Sequence, residues 1–591
     1  MNFRILVILA IAFGNMLNTA MSQTFSADRL KGHIMFLASD SLKGRYPGTP
    51  EDMVAAQYIR DQFASYGLEL LYNEGLQPFE VITSVRPSIE HTQMSVGRSA
   101  AAFGDDFGLY AFSSSASVTA DVVFAGFGFV LNTDELTHND YENIDATDKW
   151  VVVLKGDPEP DNNTSPFIPF ADERNKAMFA RDQGAAGVIF IGGGSNMPED
   201  DPAPFRVERS VSDVGLPVID LRKSWADAHL FQHEWLTDSI EAMMMRGDKA
   251  SKINIQARIS ATAELLYEKV ETYNIVGKLT SSNTLLKDEY ILFGAHYDHL
   301  GMGGPGSGSR HPDTIAPHYG ADDNASGVAG VIEMAHFFSS RSGEIDRSLL
   351  FVAFGAEEMG LLGSKHFANN PPVPIEQIVT MVNFDMIGRL SDNKSVSVSG
   401  TGTAIEMESL LTEQAENNLL SLSFSPEGYG ASDHASFYAK DVPVMFFTTG
   451  AHPDYHTPND TYERINFDGM VEVLEFVSSV SNQLAKRPDR LTFQEAGPKE
   501  RQQSSRGFRV TLGIMPDFTS SGGGLPVGGV TKDGPAESAG MLRGDVIVAI
   551  NGLSVENIYD YMNRLNQLKR GERANVDVLR DGKRLVLIVD L

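Results

Sequence analysis

The chain has 591 residues, 42% hydrophobic and 21% charged, the make-up of an ordinary globular protein with several domains. Its net charge of −30 argues against nucleic acid and anionic membrane surfaces as partners. It has no cysteine, which rules out disulfides, thiolate metal sites and cysteine nucleophiles, so any metal site must be built from other side chains.

The first residues predict a signal peptide over 1–22. Arg4 supplies positive charge, Ile5 to Phe13 is an apolar run too short to span a bilayer, and Ala20-Met21-Ser22 is a small-residue cleavage site before Gln23. No cysteine follows to carry a lipid, and no later segment has the length and apolarity of a membrane span. The expectation is a mature protein that is exported and soluble, periplasmic or secreted.

Residues 23–117 should begin the main domain. Phe25 to Leu70 reads as helical, with Met53, Ala56, Ile59 and Phe63 at helical spacing inside Asp52 to Phe63. A turn-rich loop, Gly44-Arg45-Tyr46-Pro47-Gly48-Thr49, precedes that helix. Over 118–230 short strand-like runs (Asp121 to Phe124, Trp150 to Leu154, Gly184 to Ile191) alternate with acidic and Pro-rich loops, which predicts an inserted β-rich domain. From 231 to 490 strand, loop and helix repeat. Strands are predicted at Tyr290 to Ala295, Leu349 to Phe354, Ile378 to Asn383 and Val442 to Phe447, and a helix at Ser326 to Ser339. The pattern implies an α/β fold: a mixed, mostly parallel sheet with helices on both faces. A polar linker is expected over 491–506, then a β-rich unit over 507–591.

His296, Glu357, Glu358 and Asp385 fall just after predicted strands, where such sheets bind ligands. In chain order the chemistry-bearing residues are His296 and Asp298, the run Asp322-Asp323-Asn324, Glu357-Glu358, Asp385, and His456. Each alone has a structural explanation: a surface ion pair, a helix N-cap, a solvated turn. Together, imidazole and carboxylate suit zinc, and paired sites with bridging oxygen ligands suit two ions. Two zincs about 3.5–4 Å apart can clamp attacking and leaving oxygens, and can lower the pKa of bound water to about 7. A separate carboxylate must still carry the proton to the leaving amine.

The string from His296 to His456 resembles the co-catalytic zinc aminopeptidases, a family that includes glutamate carboxypeptidases, transferrin receptors and glutaminyl cyclases. The loop from Leu37 to Thr49 is similar to that family too. The insert resembles a protease-associated domain, on Asp140-Tyr141 and Gly184-Ala185-Ala186-Gly187-Val188-Ile189. The tail resembles a PDZ domain, on Leu512-Gly513-Ile514, Gly534-Pro535-Ala536 and Gly544-Asp545-Val546-Ile547. The resemblance implies two zinc ions per chain: His296 and Asp385 on one, Glu358 and His456 on the other. Asp322 would bridge them, through a cis peptide to Asp323. It further implies Glu357 as general base and Asp298 as the partner that orients His296, a placement that suits a ligating histidine's need for an acceptor on its other nitrogen.

The function so implied is aminopeptidase action on peptides with a free N-terminus, by metal-bound hydroxide with Glu357 as base. The alternatives are carboxypeptidase, dipeptidase or glutaminyl cyclase chemistry on the same scaffold, or a non-catalytic receptor-like binding protein. Asp433 and Tyr455 are candidates to line the substrate pocket and Arg389 to meet a substrate charge, each against a structural role. His299 and His434 are assigned no metal. Gly301, Gly303 and Gly306 lie in a loop expected to be flexible and near the pocket. Leu512, Gly513 and Ile514 would form the loop that captures a peptide C-terminus by strand addition, against a PDZ fold whose groove is covered.

Overall fold

The computed structural model describes residues 25–591 except 133–135, 163, 198–199, 203–204, 206–212, 233–234, 417, 498–509, 517–523, 531–533, 543, 556–560, 562–563, 566–567, 569–570 and 581. The expected signal peptide and residues 498–506 of the expected linker lie outside the described residues. Contacts divide the chain into two units, one formed by the chain before Glu80 with Thr272–Glu500, the other by Glu80–Glu271 with the tail.

The first unit is built on a nine-stranded sheet in the order Glu69–Leu70, Leu265–Leu279, Ser348–Phe354, Tyr290–His296, Ile378–Phe384, Val444–Thr448, Ser395–Ser399, Ser421–Ser425, with Leu76–Pro87 paired to Leu265–Leu279. Its central strands are parallel: Tyr290–His296 runs between Ser348–Phe354 and Ile378–Phe384, and the last pairs with Val444–Thr448. Period-two alternation splits each central strand between two cores. Ile291, Phe293 and Ala295 join Leu349, Phe351 and Ala353 in one, and Leu292 joins Leu350, Val352 and Phe354 in the other. Helices Ala27–Leu37, Pro50–Ser65, Gly327–Ser339 and Phe467–Lys486 cover the first face through residues such as Ile34, Ile59, Val331 and Leu474. Helices Leu362–Asn369 and His434–Tyr438 cover the second through Phe367 and Phe437.

Local chemistry sets the helix starts. Thr49 caps Pro50–Ser65 by accepting from the Asp52 amide (3.2 Å), with Pro50 in the first turn where its missing N–H is harmless. Asn466 caps Phe467–Lys486 by accepting from the Gly469 amide (2.9 Å). The expected linker does not begin at 491. Leu491 is buried in the first core, Phe493 bridges to Ala404, and Tyr438 donates to the Gly497 carbonyl, so 491–497 docks on the catalytic unit. A polar run that finds hydrogen-bond partners on a folded surface reads as a linker only in sequence.

The insert is wider than the expected 118–230, running from Glu80 to Glu271. Strands Gln93–Val96, Ser99–Ala101, Phe107–Leu109 and Arg258–Ala263 complete its eight-stranded sheet from outside the predicted bounds. Nor is it only β: Ala116–Phe124, Trp150–Leu154, Gly187–Ile191 and Val218–Leu221 pair in parallel. Helix Glu173–Asp182 joins the core on one face through Ala177, and Thr237–Met245 the core on the other through Ile240. The tail is a six-stranded antiparallel sheet with its own core of Leu512, Leu525, Ile547, Val576 and Val578 among others. Among the described residues, no helix is long and apolar enough to cross a membrane.

Phe293 is fully buried and stacks on Phe351 with ring centroids 5.3 Å apart. Phe293→Ala should therefore destabilise the first unit by about 3–5 kcal/mol in denaturant unfolding; a loss under about 1 kcal/mol would mean that this core is not packed as described.

Candidate metal centre

Three adjacent parallel strands end at one place. His296 is the last residue of Tyr290–His296, Glu357 and Glu358 follow Ser348–Phe354, and Asp385 follows Ile378–Phe384. Asp323 comes from the segment Ala321–Ser326 ahead of helix Gly327–Ser339, and His456 from the loop beyond Val444–Thr448. The structure brings the residues singled out in the sequence together at this place, with one exception.

The exception is the central acid. Asp323, not Asp322, stands between the two halves of the site. His296 Nε2 lies 3.3 Å from Asp323 Oδ1 and 3.5 Å from Asp385 Oδ2. His456 Nε2 lies 3.1 Å from the other oxygen, Asp323 Oδ2, and 3.2 Å from Glu358 Oε2. Asp322 turns away: its Oδ1 accepts from the Gly388 amide (2.6 Å) and its Oδ2 faces His452 Nε2 at 3.1 Å. The cis peptide lies one bond later than expected, between Asp323 and Asn324. In a run of adjacent acids, spacing alone does not say which side chain points inward.

Asp298 also acts differently. Its carboxylate accepts from the amides of Glu357 (2.9 Å) and Glu358 (3.3 Å), fixing the turn that carries both. His296 Nδ1 meets the Asp298 main-chain carbonyl at 3.2 Å, closer than the carboxylate at 3.8 Å. With its proton on Nδ1, His296 donates to that carbonyl and presents Nε2 to the site. His456 is held likewise, Nδ1 to the Gly308 carbonyl at 3.1 Å. The loop expected to be flexible thus fixes a site histidine; it is tied across itself by the Gly303–Ile315 bridge and by the Ala316 amide donating to Met302 (2.9 Å).

Two groups have the geometry to hold an ion: His296, Asp323 and Asp385, and His299, Asp323 and Glu358, the donor atoms of each within 4.8 Å of one another. Asp323 is common to both. His299 went unassigned in sequence, yet its Nδ1 sits 2.8 Å from Glu358 Oε1; its place three residues after His296, in the same strand-end loop, was the available signal. Asp323 Oδ2 and Glu358 Oε1 are buried and meet no amide or hydroxyl donor, only the imidazole nitrogens of His456 (3.1 Å) and His299 (2.8 Å). Buried carboxylate oxygens short of donors are costly, and oxygen and imidazole donors converging on shared points are the ligand chemistry of zinc. The residues fit two zinc ions.

Electrostatics point the same way. Burial pulls the His456 imidazole down, but Glu358 and Asp323 outweigh it and hold the group up to about 11. Against burial, Glu357, Asp385 and Asp323 hold His296 well above the usual imidazole range. Burial lifts Glu357 well above the carboxylate range, with His296 opposing and Glu358 adding to the lift. The cluster favours positive charge in its midst.

Asp433 is buried at the start of helix His434–Tyr438, and burial raises it to about 7. Tyr455 stacks on His456, ring centroids 3.8 Å apart. Arg389 pairs with Asp460 (3.0 Å) and Asp454 (3.4 Å), which is the structural role. In the tail, Leu512 is buried in the core, and the Gly513 amide donates to Thr511 Oγ1 at 3.0 Å. These contacts predict that Asp323→Ala strips metal from both positions, whereas Asp322→Asn keeps metal content near that of the unmodified protein. Elemental analysis of the purified variants decides it, and the reverse pattern would return the bridging role to Asp322.

Residues 274–481 match the model of peptidase family M28, and residues 510–591 that of the PDZ domain. The chain is 24% identical over 464 residues to aminopeptidase YwaD of Bacillus subtilis, covering 76% of this chain and 83% of that one. It is 36% identical over 146 residues to leupeptin-inactivating enzyme 1 of Streptomyces exfoliatus, about a third (32%) of that protein's length and 24% of this chain. Among solved structures, an aminopeptidase from Aneurinibacillus sp. strain AM-1 aligns over 80% of this chain and 97% of its own at a TM-score of 0.48 and 24% identity. The segment that carries the candidate metal centre is a domain of peptidase family M28, and the chain ends in a PDZ domain.

Proposed function

We propose that this chain is an exported zinc aminopeptidase that removes N-terminal residues from peptides with a free amine, using two zinc ions. The observation that carries the reading is the carboxylate of Asp323, one oxygen facing His296 Nε2 and the other His456 Nε2. His296, Asp323 and Asp385 would hold one ion, and Asp323, Glu358 and His456 the other, with His299 against Glu358. Bound there, zinc supplies Lewis-acid polarisation of a peptide carbonyl and a more acidic water.

The chain's own residues supply the rest. Glu357 belongs to neither ion-holding group, yet its Oε2 lies 3.8 Å from His296 Nε2, at the edge of the site. A carboxylate in that position can take a proton from the attacking water and return it to the leaving amine. Asp298 holds the Glu357 and Glu358 amides, so neighbouring acids keep different aims. Asp433 and Tyr455 are read as walls of the substrate pocket.

Export rests on the charged start, short apolar run and cleavage site over 1–22. The insert is read as a protease-associated domain on Asp140-Tyr141 and Gly184 to Ile189. The PDZ domain is read as holding a peptide C-terminus at Leu512-Gly513-Ile514, as such domains do.

Glu357→Gln should keep its zinc and lose about 10²–10⁴-fold in turnover on aminoacyl substrates, while chelation abolishes the activity reversibly. Near-normal turnover of this variant would remove Glu357 from the mechanism. Assay of free-amine, N-blocked, free-carboxylate and N-terminal glutaminyl substrates completes the test: cleavage confined to free amines supports the reading, and turnover of the others instead assigns the scaffold to a different reaction.

A further inference from the structure

The segment that presents Asp323 is gripped from both sides. On one side lies Arg45, from the loop between the first two helices. It is 1% exposed, one of the largest fully buried side chains in the described structure. Its Nε donates to the Tyr297 carbonyl (2.7 Å), and its terminal nitrogens to the carbonyls of Tyr319 (2.7 Å), Gly320 (3.1 Å) and Leu37. Tyr297 follows the ligand His296, while Tyr319 and Gly320 lead into Asp323. One guanidinium therefore joins two of the three chain segments that would carry the donors of one ion. The backbone of the same loop adds to the join. The Arg45 carbonyl accepts from the His299 amide (3.2 Å), and the Gly44 carbonyl from the Gly301 amide (3.0 Å). Only glycine allows this approach: a Cβ on Gly44, at φ +76°, would stand 2.4 Å from the Gly301 carbonyl oxygen and 2.6 Å from that of His318.

On the other side lies Asp460, fully buried and four residues after His456. Its Oδ2 accepts from the amides of both Asp322 (2.9 Å) and Asp323 (3.0 Å), and its main-chain carbonyl from the amide of Ala321 (3.1 Å). Its Oδ1 is paired with Arg389 at 3.0 Å. Within the run from Tyr319 to Asp323, the first two carbonyls are thus taken by a buried guanidinium and the last two amides by a buried carboxylate. Neither partner is an ordinary fold contact. Arg45 ends on four carbonyls and, among the described residues, forms no ion pair with a carboxylate, and Asp460 spends one oxygen on two consecutive amides.

We propose that Arg45 and Asp460 are positioning residues for the metal centre: a charged clamp that fixes Asp323 so that each of its oxygens meets a different ion. The proposal rests on the zinc reading above and adds two residues that touch no ligand atom. Groups that orient metal ligands typically account for about 10–100-fold in metal affinity. Lysine keeps the charge of Arg45 but lacks the planar fork that reaches several acceptors at once. Asparagine keeps one carbonyl oxygen at 460 where alanine keeps none.

The test is a competitive zinc titration of the metal-free full chain against a chromogenic chelator, with the visible spectrum of the cobalt-substituted form and thermal unfolding of the metal-free form alongside. Arg45→Lys and Asp460→Ala should each weaken zinc binding by about 10–100-fold and alter the cobalt spectrum, and Asp460→Asn should recover part of the loss. Should Asp460→Ala not fold, Arg45→Lys and Asp460→Asn carry the test. Variants that melt earlier but bind zinc with unchanged affinity, stoichiometry and cobalt spectrum would overturn the clamp and make both residues fold contacts only. An unmodified chain that binds no zinc would overturn the zinc reading itself, and the clamp with it.

Discussion

Five carboxylates, those of Asp298, Asp323, Glu357, Glu358 and Asp385, are brought below the surface at the carboxyl ends of three parallel strands. Burying even one ionised carboxylate costs several kcal/mol after relaxation. The molecule meets that cost in three ways. Backbone amides take up the acid that is not aimed inward, as Glu357 and Glu358 do for Asp298. Imidazole nitrogens stand between the acids, as His456 Nε2 does between Asp323 and Glu358. Asp323 Oδ2 and Glu358 Oε1 have only the imidazole nitrogens of His456 and His299 beside them, where a cation would satisfy oxygen and nitrogen together.

The scaffold follows from the need to hold these groups still. A sheet with a core on each face leaves its central strands no freedom to shift, since every second side chain is locked on the opposite side. Ligands placed at strand ends inherit that rigidity, and ligands on loops need other support. Asp323 has it from Arg45 and Asp460, and His456 from the Gly308 carbonyl. The loops are where the sequence spends its unusual residues: a glycine at 44 that tolerates a carbonyl at van der Waals range, and a buried arginine beside it.

Much of this was legible in the chain itself. Trp150–Leu154 and the central strands of the first unit fall within two residues of their expected starts and ends, because apolar runs of that length bounded by turn residues have few other homes. The clustering of His296, Glu357, Glu358 and Asp385 was legible too, since strand ends are a fixed place for chemistry in such sheets. What was not legible depends on direction or on long-range pairing. Asp322 and Asp323 are chemically identical neighbours, and the groups that hold the Asp322 side chain away from the site, the Gly388 amide and His452, come from far along the chain. The insert's outer strands, such as Gln93–Val96 and Arg258–Ala263, pair across more than 150 residues, so no local signal marks their boundary. Residues 491–497 read as linker because their composition is polar, yet they are held by contacts to Ala404, Glu406 and Tyr438.

The central claim is that one carboxylate, Asp323, is shared by two zinc ions. A crystal structure of the purified protein with anomalous data collected on both sides of the zinc absorption edge tests it directly. The account predicts two zinc peaks about 3.5–4 Å apart, with one oxygen of Asp323 on each, His296 and Asp385 on the first, and Glu358 and His456 on the second. A single peak, or a pair bridged by Asp322 with Asp323 turned away, would contradict it.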